Sequence, residues 1–501
     1  MAQFHHGVEI AELKSRTRVI SVVRSAVIGL IGTAPIHLLS PERRSLNANR
    51  LVLSDLDKAY NFGGDLESAG YTLVPAINAI FAQGSGAIIA INVFDPSRHR
   101  TLGAAQATSG SHSLTSNIAT ITTDTAHGLS VGDFIEITGF TSALSPLNQN
   151  YIRIKTVPTT TSLTFDLTHS DITATTSTSG IIKKITFDPT LVTAADIIGA
   201  IDAAGNRSGM KAWRNARGEF GYVPRILIAP GFSTQESVAV EMAIMADKLR
   251  AHAIIDAPAG LTTQQIVNGR GTSGTINLET SSERVIICDN HVWVYNVATQ
   301  REELQPLSSF MAGVMAATDN TEGYWVSPSN KEIKGINGVE RVIEFDVLNK
   351  NSEANELNRN GIVTIVRDFG TGYILWGNRS AAFPTNPDPE NFICVRRTMD
   401  IVHDSLGYGL RPFLDRPMTL ANIDSALATI NAFLRSRIAE GALIAANVRF
   451  ERNSNPTVEL AQGRIVFDME HMPPTPMENI KINSRMNIEL LEALFEAGEQ
   501  L

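Results

Sequence analysis

The chain has 501 residues, 43% of them hydrophobic, with 42 Lys plus Arg against 51 Asp plus Glu. That is too long for one ordinary core and predicts about two to four domains. The net charge of −9 excludes a general attraction to nucleic acid or to an anionic membrane.

Near the start, His5 and His6 lack a Cys or carboxylate at ligand spacing and read as a solvated pair, with no metal expected. Between positions 14 and 50 the basic residues Lys14, Arg16, Arg18, Arg24, Arg43, Arg44 and Arg50 face only Glu42. VISVVRSAVIGLIGTAP (19–35) follows basic residues as a signal peptide would. Arg24 interrupts it, and its apolar part is too short to span a bilayer. The expectation is a buried strand, in a protein assembled in the cytoplasm without membrane insertion. AVIGLIGTAP (26–35), TLVPAINAIFAQG (72–84) and AIIAINVFDP (87–96) then read as strand, helix and strand, a parallel β-α-β unit.

The composition changes at about 108. As far as 185 the chain is rich in Ser and Thr, with short alternating segments such as DFIEITGF and SLTFDLT between turn residues, which predicts a small β-barrel or sandwich inserted into the α/β domain. RILIAPG (225–231) resumes the buried strands. Ser233 and Glu236 have capping-box spacing at the head of a helix. AIIDAP (253–258) and RVIICD (284–289) follow as strands. Cys288 and Cys394, the only cysteines, each lie in an apolar run that reads as a buried strand and fit core thiols in a reducing compartment.

GYWVSPSNKEIKGINGV (323–339) has the Gly and Lys content of a phosphate cradle. A cradle leads straight into a helix N-terminus, whereas VERVIEFDVLN, which comes next, alternates like a strand. The segment therefore reads as a structured loop, packed down by Trp325, whose glycines serve turns. Strands GIVTIVRDF (361–369) and YILWGNRS (373–380) follow, then PTNPDPEN, a poor scaffold for pairing Asp388 with Glu390. In the last region Leu420, Ile423, Leu427, Ile430, Leu434 and Ile438 share one face of a helix ended by Gly441. Strand-like ANVRFER (446–452) and GRIVFDMEH (463–471), a PPTP spacer (473–476) and ENIKINSRMNIELLEALF close the chain.

An enzyme can be drawn from these elements, because ligands of α/β sheets bind at the carboxyl ends of strands. Ser233, Asp256, Asp289 and His291 could form a hydrolase site there. Against it, Ser233 lies in PGFST rather than GxSxG, its capping role accounts for it, and an Asp at a strand end serves turns.

Several long segments in order carry a resemblance: SAVIGLIGTAP, PRILIAPGFS, KLRAHAIIDAP, SSFMAGVMAATDNTEGYWVSPSNKEIKGINGV, GIVTIVRDFGTGYILWGNRS, ICVRRTMDIVHDSLGYGLRPFLDRP and AQGRIVFDMEHMPPTP. Through them the chain resembles the contractile tail sheath proteins of contractile-tailed bacteriophages and R-type pyocins. The Ser/Thr-rich insertion falls outside the resemblance.

The resemblance implies a structural protein without catalytic residues, metal or cofactor. It implies hexameric rings stacked as a helical sheath around a tail tube, contracting to drive the tube through a cell envelope. The partners implied are further copies of the chain, the tail tube protein, and baseplate and tail terminator proteins, in a phage tail or a tailocin particle assembled in the host bacterial cytoplasm. The expected fold is α/β and multidomain: an α/β core (25–107 and 187–380) with an all-β insertion (108–186), an α+β tube-facing C-terminal domain (381–472), and extended arms (1–24 and 473–501). The arms are expected to add strands to neighbouring subunits through Arg16, Val19, Ile20, Val22 and Val23 at one end and Ile480, Ile482 and Met486 at the other. Arg396, Arg397, Arg411, Arg416, Arg435 and Arg437 are the candidates for facing the tube.

Overall fold

The computed structural model describes residues 20–84, 86–270, 278 and 280–492. Runs such as VIGLIG and AIIAIN have no polar face, so both sides of the strands they form must be covered. They lie in an eight-stranded sheet ordered Asn49–Val52, Ala87–Asn92, Val27–Gly32, Ile226–Ile228, His252–Asp256, Val285–Cys288, Ile362–Asp368 and Gly372–Trp376. The inner six run parallel, and the outermost strand on each side is antiparallel.

Alternate residues of one strand enter different cores. Ile28, Leu30, Ile254 and Ile286 pack beneath the helices Leu73–Ala82 and Leu307–Thr321; Val27, Ile31, Ile255 and Ile287 pack on the other face with Trp213 and the helix Glu236–Leu249. Each buried Ile or Leu contributes roughly 1.5–3 kcal/mol. Gly29 permits the closest approach on the second face. A Cβ there would stand 2.9 Å from Leu227 and 3.1 Å from the Trp213 ring.

One outer edge of the sheet is covered by backbone hydrogen bonds, and a short helix lies near the other. The 3-10 helix Gly209–Asn215 lies by the Asn49–Val52 strand, where Asn49 donates to the Ala212 carbonyl at 2.8 Å. At the other side Asn330 N–H donates to Leu375 O (2.7 Å), Leu375 N–H to Lys331 O (2.9 Å) and Ile333 N–H to Tyr373 O (2.9 Å). The Gly- and Lys-containing loop is therefore an edge cover, and the Trp325 ring lies where a Cβ on Gly323 would fall. The alternation of VERVIEFDVLN is not realised as a strand. Beyond Gly338–Val339 the chain is irregular until the helix Glu353–Arg359. A hairpin that the sequence reading passed over, His291–Asn296 with Arg301–Pro306, pairs with Gly338–Val339.

The Ser/Thr-rich region forms two facing sheets around Leu114, Ile121, Ile135, Ile137, Leu163 and Phe165. Its pairing begins before the change of composition. Arg100–Leu102 and Gln106–Ala107 both bond to Ile181–Phe187, so strands of this unit start at Arg100 rather than near 108. The last region contains the helices Ile393–Gly409 and Leu420–Ala439 and a two-stranded sheet, Ala445–Arg449 with Asp468–Met472.

Three local expectations are corrected here. Cys394 is buried, but in the first turn of the Ile393–Gly409 helix, where every residue from Ile393 to Thr398 is buried and no periodicity separates helix from strand. Ser233 does not cap the Glu236–Leu249 helix, whose N-cap is Gln235 without a side-chain bond. Leu420 is 72% exposed, because the first turns of its helix overhang the core; the buried stripe is Ala426, Thr429, Ile430, Phe433, Leu434 and Arg437.

Candidate assembly surfaces

The strand-end cluster is brought together, but as a rivet. Ser233 Oγ donates to Asp256 Oδ2 and accepts from the Asp256 N–H, both at 3.1 Å. Asp256 Oδ1 accepts from Ser308 N at 2.8 Å, so the carboxyl caps the start of the Leu307–Thr321 helix. Asp289 pairs with Arg341 at 2.6 Å, and His291 Nδ1 lies 3.5 Å from Glu340. Burial raises the carboxyls of Asp256 and Asp289 above the usual range. Ser233, Asp256 and Asp289 are each 1% exposed. The hydroxyl is committed in both directions and has no access to a substrate. No group of three or more metal-ligating side chains occurs among the described residues.

The arginines expected to face a tube divide in two. Arg396 bonds Asp400 (2.8 Å) and Glu390 (3.0 Å), Arg397 bonds both oxygens of Asp319, and Arg437 bonds Glu440 (2.6 Å). All three are buried. They form structural ion pairs within the subunit. Burial alone would raise the Asp400 carboxyl, but hydrogen bonds from Arg284 and Arg396 outweigh it and hold the group below its ordinary range. Arg411, Arg416 and Arg435 are exposed and form no ion pair among the described residues.

The two ends of the chain differ. Arg16 and Val19 lie outside the described residues. Ile20 is buried among Val402, Leu406, Ile430, Phe433 and Leu434, Val22 packs against the same group, and Val23 N–H donates to Ser405 Oγ at 3.1 Å. Residues 20–24 are therefore docked on their own subunit by side chains, without strand pairing. At the other end Ile480, Ile482 and Met486 are 71%, 84% and 95% exposed. Residues 479–486 form no strand and make no backbone hydrogen bond among the described residues. Among the described residues the Ala445–Arg449/Asp468–Met472 sheet has no third strand, and neither of its outer edges is paired there. A two-stranded sheet by itself is marginally stable.

Comparison with known proteins decides which kind of molecule carries this pattern. Residues 192–381 match the phage tail sheath protein central domain family. The tail sheath protein of Burkholderia phage BcepMu is 40% identical over 98% of this chain and 99% of its own length. The chain belongs to the tail sheath protein family. A putative prophage major tail sheath protein of Pseudomonas aeruginosa is 36% identical over 57% of this chain and 71% of its own. In fold, the helical sheath of the anti-feeding prophage in its contracted state aligns with a TM-score of 0.58 at 17% identity, covering 96% of this chain and 99% of that one. The protein is thus a structural subunit of a contractile sheath, and the hydrolase reading has no support beside the buried, committed Ser233.

No sequence signal distinguished the arginines that are buried from those that are exposed. Only the i,i+4 spacing of Arg396 and Asp400 and the i,i+3 spacing of Arg437 and Glu440 hinted at internal pairs.

Proposed function

We infer that subunits of this chain join into hexameric rings stacked around a tail tube, and that contraction of the stack drives the tube through a target envelope. The work then comes from two packings of the same subunits, with no nucleotide consumed. The rings attach to a baseplate and end at a terminator protein. The particle is assembled in the bacterial cytoplasm and serves in the tail of a virion or a tailocin. In the proposed layout, the eight-stranded core and the C-terminal helices form the wall, the all-β unit stands outward, and Arg411, Arg416 and Arg435 face the tube.

The observation that carries this reading is a mismatch within one subunit. Among the described residues, the segment 478–487 has a strand-like sequence and no pairing partner, and a two-stranded sheet has unpaired edges. β-Augmentation between neighbours resolves both, and main-chain hydrogen bonds of that kind survive rigid-body motion of the domains they join. Ile480, Ile482 and Met486 are the proposed inward-facing positions of the donated strand. On the N-terminal side the exchange is assigned to Arg16 and Val19, with Ile20, Val22 and Val23 as the attachment.

The test is a chain truncated after Met477. It is expected to keep its circular dichroism and melting temperature, because the residues described from Ile480 to Met486 are exposed and the arm's one ion pair, Glu478 with Arg379, is partly exposed, yet to form no tubes in negative stain. A truncated chain that builds full-length sheaths overturns the exchange, as does a strongly destabilised monomer.

A further inference from the structure

The root of the C-terminal arm is built differently from the arm itself. After the sheet strand ends at Met472, Pro473, Pro474 and Pro476 fix the backbone over one short stretch, and Pro473 is buried. At the end of that stretch Glu478 meets Arg379 in a two-pronged pair, Nε to Oε1 at 2.8 Å and Nη2 to Oε2 at 2.5 Å. Arg379 is itself held from every side. Its guanidinium lies over Phe392 (4.0 Å) and Phe383 (4.4 Å), and its third nitrogen donates to Asn391 at 2.6 Å. Two residues further on, Ile480 is 71% exposed. From 479 to 491 every residue is exposed, so among the described residues the last anchoring contact is at Glu478.

We propose that the Arg379–Glu478 pair is a clip that fixes where, and in which direction, the C-terminal arm leaves its own subunit, so that the arm is presented to one particular neighbour. The proposal rests on the strand-exchange reading above and adds a geometric limit to it. An extended chain covers at most about 3.4 Å per residue, which places Met486 within about 27 Å of the clip. A receiving sheet outside that radius is unreachable while the clip is closed. A bidentate arginine–carboxylate pair defines orientation as well as distance, which a lysine would not. With the clip open, the arm swings from the proline run and its effective concentration at the receiving edge falls.

The experiment uses the full-length chain and follows tube formation against protein concentration by sedimentation and negative stain. Glu478→Lys alters the exposed partner and leaves Arg379 on its aromatic seat. It is expected to raise the concentration for half-maximal tube formation about fivefold or more, with the monomer melting temperature unchanged within about 1 °C. The exchanged pair Arg379→Glu with Glu478→Arg is expected to recover most of that loss. Wild-type assembly by Glu478→Lys overturns the clip, and so does an exchanged pair that melts normally but stays as defective as the single variant. Truncation after Met477 separates the two ideas. If it abolishes tubes while Glu478→Lys assembles normally, the arm is exchanged but not clipped; if it too assembles, the exchange itself fails.

Discussion

Arg397 and Asp319 meet through two parallel hydrogen bonds of 2.7 and 2.5 Å, with side-chain exposures of 4% and 0%. The pair ties the Ile393–Gly409 helix to the Leu307–Thr321 helix. Together with Arg284–Asp400 and Arg225–Asp404 it fastens the C-terminal region to the parallel sheet. Arg397→Met leaves a buried carboxylate without its partner and is expected to cost about 3–5 kcal/mol. Combining it with Asp319→Leu removes the orphan and should restore most of the loss. Urea unfolding of the two variants beside the parent measures both, and equal destabilisation by the single and double changes would contradict this account.

Acid should loosen the same junction. Burial holds the His252 imidazole down at about 3, with Arg397, Arg284 and Arg396 lowering it further against the opposing pull of Asp400; burial and then Arg44 hold His37 at about 4. An unfolded histidine titrates near ~6.5. The unfolded chain therefore binds more protons below that value, so the stability from keeping these rings neutral is full above it and is lost as pH falls towards the folded values. Each ring contributes up to about 1.4 kcal/mol per pH unit in that window. Melts between pH 7 and 5 should fall in temperature, and His252→Phe should flatten the slope.

The all-β unit should be removable at the right seam. Arg100 and Phe187 are register partners, as are Thr101 and Thr186, so the two ends of the unit stand side by side. Replacing 101–186 with a short Gly/Ser linker is expected to leave tube formation intact, in keeping with an outward position. Cutting at 108–185 instead removes Ile181 and Ile182, the partners of Ala107 and Gln106, and Ile185, the partner of Leu102, and the strand left unpaired should aggregate. Electron micrographs of both deletions distinguish the seams.

Neutralising Arg411, Arg416 and Arg435 together should weaken co-sedimentation with purified tubes at low salt. The difference should shrink as ionic strength shortens the screening length from about 10 Å at 0.1 M. Unchanged binding at every salt concentration would remove these residues from the tube contact. Arg396, committed to Asp400 and Glu390, should instead act on stability.

What was legible in the sequence follows from which forces are local. The strands Val27–Gly32, Ala87–Asn92 and Val285–Cys288 could be read because a parallel sheet covered on both faces demands uninterrupted apolar runs. The same signal failed at Cys394, since a helix buried all round is uninterrupted too. Ser233 was placed in a cap because Glu236 has the right spacing, but its actual partner, Asp256, comes from the next strand. The pairing of Arg397 was not legible because Asp319 lies 78 residues earlier. The exposure of Ile480, Ile482 and Met486 agrees with their alternating, strand-like spacing, since no described residue of their own chain covers them.

The covered edge of the eight-stranded sheet bears on how a sheath can be made at all. A polymer subunit accumulates at high concentration before it has anything to build upon, and an open strand edge on its largest sheet would recruit other copies at random. Here Asn330–Ile333 closes one side, so that side of the core offers no nucleus for disordered association. A subunit closed on that side can wait for a template before it joins other copies.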